Sequence, residues 1–112
     1  MNDLDSLRAR LDATDRRLVE LLRERLDTVA DIARLKAEGL PFLRDHERET
    51  ELLGRVEGWA REMGLDGFRV REIFREVLAM SLKTQEESLL ERERVERSAR
   101  AAHRAAYQGT DG

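Results

Sequence analysis

The sequence predicts an all-α protein, a three-helix chain with a very long first helix. Charged residues make up 40% of the 112 residues and aromatic residues only 4%, whereas a typical globular domain carries about 25% charged residues. The chain contains a single proline, and apolar residues recur at helical spacing over long stretches. This combination is typical of long amphipathic helices.

Composition also excludes several classes of function. There is no cysteine, so disulfides and thiol chemistry are excluded. The net charge of −3 argues against a general nucleic-acid partner. No apolar run approaches the roughly 18 residues that a membrane span needs, and no signal-peptide pattern opens the chain. We therefore expect a cytoplasmic protein with no nucleic-acid or membrane partner.

The first predicted helix runs from about Asp3 to Glu38, where Gly39 and Pro41 interrupt it. A helix of that length spans about 54 Å, whereas a compact chain of this size is about 34 Å across. One chain cannot cover the apolar face of such a helix, which predicts an obligate helical homodimer.

The second helix is predicted from about His46 to Met63, with Asp45 as its N-terminal cap and Gly64 as its end. The residues expected on its buried face are Leu52, Leu53, Val56, Trp59, Ala60 and Met63.

The third helix is predicted to begin near Gly67, with Asp66 as its cap. The residues expected on its buried face are Val70, Ile73, Phe74, Val77, Leu78 and Leu82. From about Glu86 this apolar stripe thins and alternating charge predicts a solvated helical extension or linker.

Three cations interrupt one face of the first helix. In order, that face reads Leu4, Arg8, Leu11, Asp15, Leu18, Leu22, Arg25, Val29, Ile32 and Lys36. The cations could simply extend from the edge of the stripe into water. However, a buried cation needs an anionic partner, and too few acids share this face. A bound anion is therefore the functional hypothesis.

Polar residues also lie on the other two helices. Glu49 shares a line with apolar residues, although an acid in a first turn also suits the helix dipole. Ser81 and Gln85 form a polar pair four residues apart, which could equally be the rim where the core ends. His46 and His103 lack partners at metal-ligand spacing. We therefore expect neither a metal nor a cofactor.

Taken together, these residues resemble the all-helical (type II) chorismate mutase family, whose members form an intertwined helical homodimer. The resemblance covers about Leu4 to Leu90. The segments that carry it are Leu7–Asp15, Arg25, Ile32–Lys36, Arg44-Asp45, Arg48-Glu49 and Ser81–Gln85. One departure is Pro41, which lies four residues before Asp45 rather than the three that are usual in such sequences.

The resemblance implies a chorismate mutase of phenylalanine and tyrosine biosynthesis, which rearranges chorismate to prephenate without covalent or acid–base catalysis. It implies that Lys36 and Gln85 are catalytic. The substrate-binding residues that it implies are Arg8, Arg25, Lys36, Asp45, Arg48, Glu49, Ser81 and Gln85, with Arg8 contributed by the partner chain. Arg8 and Lys36 are about 42 Å apart along one helix, which independently favours a shared site.

A second resemblance concerns the last eight residues, Ala105 to Gly112, which look like the first strand and glycine turn of a prephenate dehydratase domain. The predicted organisation is a mutase domain over 1–90, a charged helical extension or linker over 91–104, and a truncated dehydratase-like start over 105–112. Two alternatives remain open. One is an isochorismate-pyruvate lyase on the same fold, and the other is a non-catalytic helical dimerisation module.

Overall fold

A computed structural model of the chain describes residues 3–37 and 46–109, and these residues form three α-helices. Helix α1 spans Asp3–Ala37, α2 spans His46–Glu62 and α3 spans Gly67–Gly109. The described residues contain no strand, so the predicted all-α class is confirmed. No helix among them is long and apolar enough to cross a membrane.

The turn between α2 and α3 forms as the sequence predicts. Gly64 adopts a positive φ of 75°, a conformation that ends helices and that glycine reaches without strain. The Gly64 and Leu65 amides then donate to the carbonyls of Arg61 and Ala60, at 3.1 and 2.8 Å. Asp66 caps α3, because its carboxylate accepts the Arg69 amide at 3.2 Å. Asp45, the predicted cap of α2, lies outside the described residues.

Helix α3 is the central element, because it packs against both α1 and α2. The buried apolar side chains are Val29 and Ala33 of α1, Leu53, Val56 and Ala60 of α2, and Val77 of α3. These residues lie where the C-terminal half of α1 and helix α2 pack against α3. The core is therefore small and confined to one part of the chain.

The chain is far from compact. Its radius of gyration is 21.6 Å, compared with about 13 Å for a globular domain of this length. Every residue from 3 to 21 of α1 is exposed. Leu4, Leu11 and Leu18 of the predicted apolar face are at least half exposed, as is Leu7. The N-terminal half of α1 thus has no cover from its own chain among the described residues.

Three predictions about buried faces are wrong for the single chain. Trp59 is 48% exposed, Met63 74% and Ile73 61%. The apolar stripes of α2 and α3 are wider than the surfaces at which these helices pack within the described chain, so the margins of the stripes face solvent. Only part of each stripe packs against another helix, as Leu53, Val56 and Ala60 do on α2.

The described part of the chain ends in helix. Residues 105–109 form the end of α3, and residues 110–112 lie outside the described residues, so the resemblance of 105–112 to a dehydratase start stays a prediction. Alanine and arginine, which favour helices, dominate residues 97–106 and carry the helix onward without an apolar face to bury. The predicted extension over 91–104 is helical and continuous with α3.

The close approach of α3 to α2 depends on the absence of a side chain at Gly67. A Cβ at this position would lie 2.8 Å from Glu57 Cγ and 3.1 Å from the Glu57 carbonyl oxygen. Glu57 is itself held there by Arg61 at 2.6 Å and by Arg71 at 3.3 Å. We expect Gly67→Ala to lower the free energy of unfolding by about 1–3 kcal/mol, measured by urea denaturation at fixed protein concentration.

Gly58 on α2 provides the matched control for this substitution. A Cβ at Gly58 would meet no atom within 4 Å, so Gly58→Ala should raise the free energy of unfolding by up to about 1 kcal/mol through helix propensity. Equal stability of the two variants would contradict the tight α2–α3 contact.

Candidate active site

The centre of the candidate site is a hydrogen bond between α1 and α3. Arg25 Nη1 donates to Ser81 Oγ at 2.5 Å. Ser81, which is only 5% exposed, in turn donates to the Val77 carbonyl oxygen at 2.8 Å. A hydroxyl can donate one hydrogen bond and accept others, so Ser81 links the guanidinium to the α3 backbone. The arginine is thereby fixed on the inner side of α1.

Arg25 is an unusually placed cation. Partial burial lowers the pKa of its guanidinium, and the like charge of Arg48 on α2 lowers that pKa further. Ser81 is the only side-chain hydrogen-bond or ion-pair partner that the described residues give to the Arg25 side chain. Two cations from different helices therefore face the same region, where an anion would relieve their repulsion.

An open groove of about 400 Å³ runs along α1 beside Arg25. Its lining residues are Leu21, Glu24, Arg25, Thr28, Val29 and Ile32. The groove combines one inward cation with the apolar side chains of Val29 and Ile32. Such a surface suits a small ligand that carries both a carboxylate and a nonpolar ring.

Two further predicted residues are partly buried on α3 and α2. Gln85 is half-buried on α3, one turn beyond Ser81. Glu49 lies in the first turn of α2 with its side chain 21% exposed, and His46 Nδ1 is 3.9 Å from its carboxylate. The structure thus joins Arg25 directly to Ser81, with Arg48 in electrostatic range.

The remaining predicted residues are not brought into the site by this chain. Arg8 is exposed on α1 and lies about 26 Å from Arg25 along the helix axis. Lys36 belongs to the last turn of α1, but its side chain is outside what the structure describes, as is the whole of Asp45. Within residues 3–37 and 46–109, no group of three or more His, Asp or Glu residues could hold a metal ion.

One contact between α1 and α3 is not apparent from the sequence. Arg92 Nη1 of α3 donates to the Arg34 carbonyl oxygen of α1 at 2.9 Å. Arg92 is one of many charged residues in the predicted solvated extension. The available signal was its spacing, since Arg92 lies seven residues after Gln85 and therefore on the same face of α3.

Comparison with known proteins identifies a family for most of this chain. The profile of the family described as "Chorismate mutase type II" matches residues 7–86. That range contains α2, nearly all of α1 and the part of α3 that bears Ser81 and Gln85.

Curated relatives give the same result. A bifunctional chorismate mutase/prephenate dehydratase from Enterobacter agglomerans is 32% identical over 111 residues, covering 99% of this chain and 28% of the relative. Its counterpart from Buchnera aphidicola subsp. Schizaphis graminum is 31% identical over 88 residues, or 79% and 23% of the two chains. The Escherichia coli K12 protein of the same name is 29% identical over 85 residues, or 76% and 22%. The chain spans about a quarter of the length of these relatives.

The placement of Arg25 predicts that this residue lowers the stability of the unliganded fold. Because arginine stays protonated at neutral pH, the desolvation and the repulsion by Arg48 act throughout the neutral range. We expect Arg25→Met to raise the free energy of unfolding by up to about 1 kcal/mol, measured by urea denaturation at one protein concentration. Ser81 would still donate to the Val77 carbonyl.

The control is Arg23→Met, since exposed Arg23 pairs with Asp27 at 2.8 Å. Loss of this exposed ion pair should leave the free energy of unfolding within about 0.5 kcal/mol of the parent value. An Arg25→Met variant less stable than Arg23→Met would contradict this assignment of Arg25.

Proposed function

The chain belongs to the type II chorismate mutase family, and on that premise we propose that it rearranges chorismate to prephenate. The single observation that carries the proposal is Arg25, a partly desolvated cation with Ser81 as partner and Arg48 nearby. A dicarboxylate substrate would supply negative charge beside these two cations. The reaction belongs to the aromatic amino-acid pathway that yields phenylalanine and tyrosine.

The reaction is unimolecular and moves no proton. The protein must hold the substrate in a compact conformer and stabilise the negative charge that develops as the ether C–O bond breaks. Preorganised cations and neutral hydrogen-bond donors supply that stabilisation. The charged and amide side chains on α1 and α3 match this need.

Each site residue takes the role that its family position implies. Arg25 and the partner's Arg8 bind the substrate carboxylates, with Ser81 close to one of them. Lys36 and Gln85 stabilise the ether oxygen. Glu49 accepts a hydrogen bond from the ring hydroxyl of the substrate. Arg48 and Asp45 lie near the same end of the substrate. Ser81 supports the carboxylate group by keeping Arg25 in place.

A homodimer follows from the uncovered half of α1. Residues 3–21 are all exposed although they carry a leucine stripe, and such a surface calls for a partner. A second copy crossing antiparallel supplies the cover and brings the partner's Arg8 to Arg25. Two-fold symmetry then creates two identical sites, each built from both chains.

The leucine spacing supports this register. When two antiparallel α1 helices place Arg8 level with the other copy's Arg25, Leu4, Leu7 and Leu11 fall level with Val29, Leu26 and Leu22 of that copy. In the register that completes the site, apolar residues of one α1 helix therefore lie level with apolar residues of the other. The intertwined arrangement explains both the length of α1 and the distance of Arg8 from the rest of the site.

The function is tested by incubating the chain separately with chorismate and isochorismate and identifying the products. Prephenate from chorismate supports the proposal, whereas pyruvate and salicylate from isochorismate would favour the lyase. No turnover of either substrate would favour a non-catalytic dimerisation module.

Lys36→Ala should lower kcat/KM for chorismate by about 100-fold or more. Lys83→Ala is the matched control, because Lys83 is the only other lysine and is exposed on α3. Its kcat/KM should remain within about twofold of the parent, in line with the small effects of exposed charges.

The shared site predicts complementation between inactive chains. Arg8→Ala and Lys36→Ala each damage both sites of a homodimer. After the two variants are denatured together and refolded, each heterodimer contains one intact site, so a random mixture should recover about a quarter of the parent activity. Activity is measured against each variant refolded alone. Absence of recovery, with chain exchange confirmed by mass, would contradict the role of Arg8 across the interface.

A further inference from the structure

Arg92 connects the charged extension of α3 to the last turn of α1. Its Nη1 donates to the Arg34 carbonyl oxygen at 2.9 Å, and its Nε is 2.9 Å from Glu96 Oε1. The Arg92 side chain is only 31% exposed, unlike its neighbour Arg94 at 73%. The guanidinium is therefore oriented by one residue of α3 while it binds a backbone group of α1.

The Arg34 carbonyl is a natural target for such a donor. Arg34 lies in the last turn of α1, which ends at Ala37, and the last four carbonyls of a helix lack partners within it. A cation at this position also opposes the negative end of the helix dipole. Arg92 thus satisfies a hydrogen-bonding need and an electrostatic one together.

The two polar links between α1 and α3 hold α1 at two separate points. Arg25 is bound to Ser81, and Arg34 is bound to Arg92. The anchors are nine residues apart on α1 and eleven on α3, or about 14 and 16 Å. Gln85 lies between the two α3 anchors, and Lys36 follows the second α1 anchor by two residues. Arg92 therefore fixes the part of α1 from which Lys36 extends.

We propose that Arg92 is a positioning residue, which anchors the end of α1 and so sets Lys36 relative to Gln85. The inference rests on the proposed function, because it is the rearrangement that requires both groups at one oxygen atom. It also places residue 92 inside the functional unit, beyond the boundary at residue 90 that the sequence predicts. A small displacement of a stabilising group lowers kcat more than it weakens substrate binding, since Arg25 and Arg8 provide most of the binding.

The test compares Arg92→Met with Arg94→Met. Arg94 is the matched control, because its guanidinium pairs with Glu91 of the same helix at 2.6 Å and not with α1. We expect Arg92→Met to lower kcat by about tenfold or more with KM changed less than about threefold. Arg94→Met should keep both constants near the parent values. Arg92→Lys, which retains a cationic donor, should recover part of kcat.

Hydrogen exchange of backbone amides in residues 30–37 gives a second readout that does not depend on activity. Arg92→Met should accelerate exchange in this turn, whereas Arg94→Met should not. Circular dichroism establishes that all variants are folded under the assay conditions.

The outcomes separate this inference from the proposed function. Unchanged kcat in Arg92→Met overturns the positioning role, whether or not exchange accelerates. A parent chain without mutase activity overturns the proposed function and with it the catalytic consequence. In that case, unchanged exchange in residues 30–37 of Arg92→Met would also overturn the anchoring of α1.

Discussion

The structure depends above all on a helix that the described residues of its own chain leave half uncovered. Helix α1 has 35 residues, yet α3 buries only its C-terminal half and leaves residues 3–21 exposed. Hydrophobic burial is the main favourable term in folding, so the uncovered leucine stripe demands contact with another surface. In the proposed dimer that contact and the assembly of the site are one event. A chain that failed to associate would then lose both stability and Arg8.

The charged residues of α1 also differ between its exposed side and the side that faces α3. Several arginines on its exposed side pair with acids along the helix, as Arg16 does with Glu20 and Arg23 with Asp27. Arg25 instead turns inward to Ser81 beside Arg48. Burying a cation beside another is unfavourable for an empty fold and favourable for holding an anion. Stability is thus given up at the position to which we assign substrate binding in the proposed function.

Much of this arrangement was predictable from the sequence because it is locally encoded. The three helices, the end of α2 at Gly64 and the cap at Asp66 all follow from turn and cap chemistry. Arg25, Ser81 and Gln85 were identifiable because each interrupts or continues an apolar stripe. Arg8 and Lys36 were identifiable on the same ground, although neither side chain is placed in the site by the described structure.

Other features could not be read from periodicity. Trp59 and Ile73 belong to apolar stripes by spacing, but exposure depends on how many helices surround them. Arg92 is hidden among other charges. Its spacing places it on the same face of α3 as Gln85, but nothing in the sequence shows that its side chain binds a distant backbone carbonyl.

The continuity of α3 has a mechanical consequence. From Ser81 to Gly109 the helix is unbroken, a distance of about 42 Å. A flexible linker of the same 28 residues would have a root-mean-square end-to-end distance of about 30 Å and no fixed direction. A continuous helix fixes both the direction and the distance between its two ends. A rotation applied at Gly109 about the helix axis is therefore transmitted to the turn that carries Ser81. The C-terminal end of α3 and the turn of α3 that bears Ser81 therefore rotate together about the helix axis.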